Sequence, residues 1–149
     1  MNEKSTRTCL AVVAPALAPQ ERIELVDVLQ IGRVSAGRRV ATAALVGVAS
    51  GGTVIAAVQP RAYFMVLTDR RLYLVDNNNG TVGRSIVSAT PREKITAGPL
   101  RKHLLTLSME VRFTGVAEPS RFSWGRFQSG TAQTIADALA GARTEVLTD

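Results

Sequence analysis

The chain has 149 residues, 18 Lys and Arg against 12 Asp and Glu, and a formal charge of +6. A single domain of this length buries a core without staples. Its one cysteine, Cys9, and one histidine, His103, exclude an internal disulfide and a cysteine metal cluster. The positive balance favours anionic partners: phosphate, anionic lipid or an acidic protein.

From the N-terminus, residues 1–20 read as a flexible tail. Lys4, Arg7 and Ala16-Leu17-Ala18 outline a faint signal peptide, but its apolar run is short, Pro15 interrupts it and Pro19 would hinder cleavage. Residues 21–34 place Ile23, Leu25, Leu29 and Ile31 in strand-like alternation, broken by Asp27. Pro19 and Gly32 would equally frame a helix; the strand is the reading taken. Residues 36–49 are Ala-rich and suit a short helix. With Gly51-Gly52 they form an Ala/Gly-rich insert over 36–52, followed by a strand over 53–58. Residues 40–58 carry no charge over nearly a membrane's thickness. Ala, Gly, Ser and Thr dominate them, however, and Ser50-Gly51-Gly52 breaks them, so two elements joined by a hinge are expected.

Residues 62–76, AYFMVLTDRRLYLVD, predict an antiparallel hairpin in which two apolar runs flank Thr68-Asp69-Arg70-Arg71. Asp76-Asn77-Asn78-Asn79-Gly80 supplies the positive φ angles of a tight turn, and 82–87 returns as a strand. Residues 90–99 are irregular apart from a short strand at Ile95. Leu105, Leu107, Met109, Val111 and Phe113 then face one way, and Thr106, Ser108, Glu110, Arg112 and Thr114 the other. A turn over 115–119 leads to a strand that sends Phe122 and Trp124 inward. Finally Ala132, Ile135, Ala136 and Leu139 recur at helical spacing. That helix is expected to be capped by Ser129 or Thr131 and stopped by Gly141, with 144–149 frayed.

Strands with tight turns closed by one amphipathic helix predict a mainly β fold. The expected form is a small antiparallel barrel or two bent sheets capped by the C-terminal helix. The segment LTDRRLYL, Leu67 to Leu74, and the helix after the Phe122–Trp124 strand resemble the bacterial pleckstrin-homology-like (PH-like) domains. The resemblance spans roughly residues 21–142, within an expected domain of 21–143. It implies that Leu-Thr-x-x-Arg-Leu marks a central hairpin, that the last helix plugs the barrel, and that the domain is a binding or assembly module. Two features depart from the pattern. The 36–52 segment is inserted between the first strands. The eukaryotic phosphoinositide signature of closely spaced basic residues is not cleanly present, although Arg33, Arg38 and Arg39 lie in that region, so no headgroup specificity is carried over.

No catalytic constellation emerges. Cys9 and His103 are the one possible thiol–imidazole pair, and Cys9 sits in the expected tail. A Ser-His-Asp arrangement would need His103 beside Arg101 and Lys102, a poor setting for an imidazolium. No phosphate-binding Gly-Lys-Ser/Thr loop occurs, and Glu110 and Glu118 suggest no acid–base pair. The expectation is a protein that is not an enzyme, without cofactor or metal. Candidate anion or partner contacts are Arg38, Arg39, Arg70, Arg71, Arg101 and Lys102. For Asp69-Arg70-Arg71 the structural alternative is an Asp that orders the turn and an Arg that pairs with a neighbouring carboxylate.

The expected partner is a protein, or a second copy through exposed strand edges, with an anionic membrane surface next. Scarce aromatics disfavour nucleic acid. Two rivals stand beside this reading: a membrane-associated protein that inserts residues 40–58, and a nonspecific nucleic-acid binder. The expected location is the cytoplasm, with a peripheral place at the inner membrane as its variant.

Overall fold

Strands buried on one face alternate; the central strands of this chain do not. Tyr63 to Thr68 are all buried, as are Leu72 to Val75. Unbroken apolar runs of this kind belong to a sheet covered on both sides, and the computed structural model, which describes residues 1–33, 61–116 and 118–148, supplies both covers. An N-terminal helix α1 (Glu3–Val13) precedes β1 (Ile23–Arg33), β2 (Arg61–Thr68), β3 (Arg71–Asn78) and β4 (Thr81–Pro91). Then come β5 (Ile95–Ala97), β6 (Arg101–Lys102), β7 (Thr106–Phe113), β8 (Ser120–Gly125) and a C-terminal helix α2 (Ser129–Thr148). The fold is mainly β with a C-terminal helix, as expected. The 36–52 insert, the 53–58 strand, the 40–58 segment, Arg38 and Arg39 lie outside the described residues.

All described strand pairings are antiparallel. The strand order is β4-β3-β2-β1-β8-β7-β5, with β6 also pairing β7. β1 joins the two halves, lying against β2 from Ile23 to Ile31 and against β8 from Gln30 to Arg33. This corrects the expected barrel: the path is one open sheet. Its far edge, β5, offers three residues of ladder, and among the described residues no pairing links it back to β4. At the β3–β4 turn, Asn79 (φ 52°) and Gly80 (φ 92°) both take left-handed backbone. The Asn77 Oδ1 accepts from the Gly80 N–H at 2.7 Å. That is the chemistry a two-residue hairpin turn requires.

One face of the sheet packs under α2. Leu29, Ile31, Tyr63, Met65, Leu67, Leu72, Leu74, Leu107, Met109 and Val111 meet Ala132, Ile135 and Leu139 there. Phe122 and Trp124 belong to the same core, ring centroids 6.3 Å apart and nearly perpendicular. Full burial of an Ile or Leu contributes roughly 1.5–3 kcal/mol, so Ile135 and Leu139 alone hold α2 firmly. Two helix expectations need correction. Thr131 does not cap α2; its hydroxyl donates to Asp27 on β1. Gly141 does not stop it, because a helical Gly costs only about 1 kcal/mol against Ala and no proline follows. The stretch expected to fray is helical as far as Thr148.

The other face packs under α1, which corrects the expected flexible tail. Asn2 caps the helix, its Oδ1 accepting from the Ser5 N–H at 2.7 Å. Cys9 and Val13, one turn apart, are fully buried against Phe64, Val66, Tyr73, Val75 and Ala89. Burial pushes the Cys9 thiol up to about 11. Cys9 is therefore expected to resist Ellman's reagent in native buffer and to react at the rate of a free thiol once urea unfolds the chain. Equal rates in both conditions would show that α1 does not cover the sheet.

Candidate functional site

Of the six cations singled out by sequence, Arg38 and Arg39 lie outside the described residues, and the other four fall into separate settings. Arg71 is structural. It reaches Glu21, which lies just before β1 and whose side chain has no solvent exposure. Glu21 Oε1 accepts from Arg71 Nη2 at 2.7 Å and from the Ala18 N–H at 2.8 Å. Oε2 accepts from the Thr68 hydroxyl at 2.6 Å, and the Tyr73 hydroxyl lies 3.2 Å away. Arg71 Nη2 also donates to the Ala16 carbonyl at 3.0 Å, and the guanidinium stacks over Tyr73. Every lone pair of this buried carboxylate thus has a donor nearby, the condition for burying a charge without heavy cost. The expected pairing of an Arg with a carboxylate is met, although that carboxylate precedes β1 rather than lying on a neighbouring strand.

Thr68 completes the turn by accepting from the N–H groups of Arg70 and Arg71 at 3.1 and 2.8 Å. Asp69 accepts from the Arg22 N–H at 2.9 Å and so ties the turn to the start of β1. Arg92 adds a third brace, donating to the Thr68 carbonyl at 2.8 Å, to Glu24 at 3.1 Å and to the Ala138 carbonyl of α2 at 3.1 Å. Arg70 is exposed, and its side chain makes no hydrogen bond or ion pair among the described residues.

Arg101 and Lys102 form β6, both exposed, on the opposite side of β1 in the strand order from Arg70. The structure therefore brings Arg101 and Lys102 together and leaves Arg70 apart. Beyond β6 the chain turns through 103–105, with the His103 N–H donating to the Thr106 carbonyl at 2.8 Å. Arg126, between β8 and α2, clasps this turn. Its Nη1 donates to the carbonyls of His103 and Leu104 at 3.0 and 2.9 Å, and its N–H to the Leu105 carbonyl at 3.1 Å.

The clasp explains one departure from expectation. Alternation predicts Leu105 on the dry face of β7, but β7 begins at Thr106, and Leu105 is 75% exposed in the turn. Leu104 is 84% exposed and Phe127, beside Arg126, 92%. The Phe127 ring lies so close over Gly125 that an added Cβ there would meet it at 2.8 Å. Sequence reasoning passed over Leu104, Arg126 and Phe127. A usable signal was present: 100–108 and 120–130 contain Arg101, Lys102, Arg121 and Arg126 and no Asp or Glu.

His103 Nε2 lies 2.8 Å from the hydroxyl of buried Ser108. A nucleophile–base pair needs a third group to orient the imidazole, and no carboxylate contacts His103 among the described residues. No group of three or more metal-ligating side chains occurs among them either. No described helix is long and apolar enough to cross a membrane.

Burial alone would raise the Glu21 pKa. The hydrogen bonds from Arg71, Thr68 and the Ala18 N–H, with the Arg71 charge, outweigh it and hold the group down at about 2 from an ordinary 4.5. A carboxyl depressed in the folded state stabilises the fold above its unfolded pKa and loses that contribution as pH falls through the folded value. Stability is thus expected to drop on the order of 3 kcal/mol between pH 4.5 and 2. Glu21→Gln is expected to cost about 3 kcal/mol at neutral pH and to flatten that acid limb. Urea titrations across this pH range, on both proteins, check it; superimposable acid limbs would remove Glu21 from its role.

Comparison with protein-family models, with curated proteins and with solved structures gives no match for this chain.

Proposed function

We propose that this chain is a non-catalytic PH-like binding or assembly module of the cytoplasm that engages an anionic partner through the Arg101–Lys102 face. The observation that carries the reading is the division among its cations. Arg71 and Arg92 are spent on internal carboxylates and carbonyls. Arg101 and Lys102 stand exposed on a short edge strand, in a segment free of carboxylates. A like-charged exposed cluster steers and holds an anionic partner. Support for the PH-like reading comes from the LTDRRLYL hairpin, paired between β4 and β1 within the sheet, and from the terminal helix packed across one face.

Fluorescent poly-L-glutamate, followed by anisotropy, serves as the acidic-protein probe. The wild-type chain is expected to bind it at low ionic strength, and the paired charge reversal Arg101→Glu with Lys102→Glu to weaken binding by at least about tenfold. The difference should shrink as salt screens it. Equal binding by both proteins would assign recognition to another surface.

A further inference from the structure

We propose that the end of the sheet bearing Leu104, Leu105 and Phe127 docks on an anionic membrane surface. The three apolar side chains enter the boundary between headgroups and acyl chains, while Arg101, Lys102 and Arg126 meet anionic headgroups. This rests on the binding reading above and names its partner.

Three large apolar side chains exposed by 75% or more sit on two segments clasped together by Arg126. Water contact on that scale disfavours each of them. The clasp fixes their backbone, so ordering the tip costs little on docking. Cations flank the tip at Arg101, Lys102 and Arg126, and the two segments over 100–108 and 120–130 hold no carboxylate. The carboxylate that the structure ties to this end, Asp27, is occupied by Gln128 and Thr131. Apolar side chains beside exposed cations match an interfacial membrane site, where buried apolar area and attraction to anionic lipid add.

A second copy of the chain fits less well. Three exposed apolar residues fall well short of the roughly 20–30 residues that each partner brings to a standard protein interface. Interface centres are also depleted of charge, whereas here cations adjoin the apolar group. A bilayer accepts a small protruding tip without needing a complementary surface.

Co-sedimentation with vesicles of phosphatidylcholine mixed with phosphatidylglycerol tests the proposal, with poly-L-glutamate run in parallel. Leu104→Ser, Leu105→Ser and Phe127→Ser combined are expected to lower vesicle affinity roughly a hundredfold and to leave poly-L-glutamate binding unchanged. Because the three side chains are exposed, the variant should melt close to the wild type. In a second variant, Phe127→Trp, the new indole emission should shift to the blue on adding the vesicles and be quenched by brominated acyl chains. An unmoved emission, or vesicle binding by the triple variant equal to wild type, overturns the docking mode. Binding of poly-L-glutamate without binding of vesicles overturns the membrane partner and leaves the binding reading standing. Failure to bind either probe overturns both.

Discussion

The structure depends on a hairpin that is apolar on both of its faces. In β2 and β3, Tyr63, Met65, Leu67, Leu72 and Leu74 point to one side, and Phe64, Val66, Tyr73 and Val75 to the other. Such a hairpin cannot sit at a water-exposed surface, so each face demands a cover. α2 covers the first and α1 the second. The covers are held differently. α2 rests on its own apolar stripe, with Arg92 and Asp27 fixing its position through polar contacts. α1 contributes only Cys9 and Val13 as fully buried side chains, and the chain behind it is fastened by Glu21. That carboxylate gathers Ala18, Thr68 and Arg71, and Arg71 in turn takes the Ala16 carbonyl.

How much of this was legible follows from which patterns are local. The β2–β3 hairpin, the Asn79-Gly80 turn and the buried row Leu107, Met109, Val111 and Phe113 are set by neighbouring residues, and they stand as the sequence implies. The stripe Ala132, Ile135 and Leu139 is equally local. α1 escaped because its buried face is narrow and its Thr, Lys and Arg look like a solvated tail; the need for it is written elsewhere, in the missing alternation of AYFMVL. Leu105 escaped because its exposure is imposed by Arg126, distant in sequence. Glu21 looks like any surface carboxylate until Arg71 and Tyr73 fold over it. Openness of the sheet is likewise set by the brevity of β5, which alternation cannot reveal.

Adjacent cations in the sequence turn out to be poor guides to shared work. Arg70 and Arg71 are neighbours, yet one faces solvent and the other is half-buried against a carboxylate. The turn hydrogen bonds of Thr68 force this split, since they fix the direction in which each side chain leaves the backbone. Arg101 and Lys102, by contrast, sit exposed on a two-residue strand and pair with no carboxylate among the described residues. Two of the exposed cations therefore stand together beside the apolar turn, while Arg70 stands apart from them.

The position of α1 in the chain has a bearing on how the protein is made. During synthesis this helix leaves the ribosome before the residues it covers, from Phe64 to Ala89. Alone, an eleven-residue helix falls below the length of about 12–15 residues at which isolated helices begin to persist in water. The nascent segment must wait, unstructured, until the hairpin exists to receive it. Because the segment is already outside when the hairpin forms, the face lined by Phe64, Val66 and Val75 gains its cover without waiting for further synthesis.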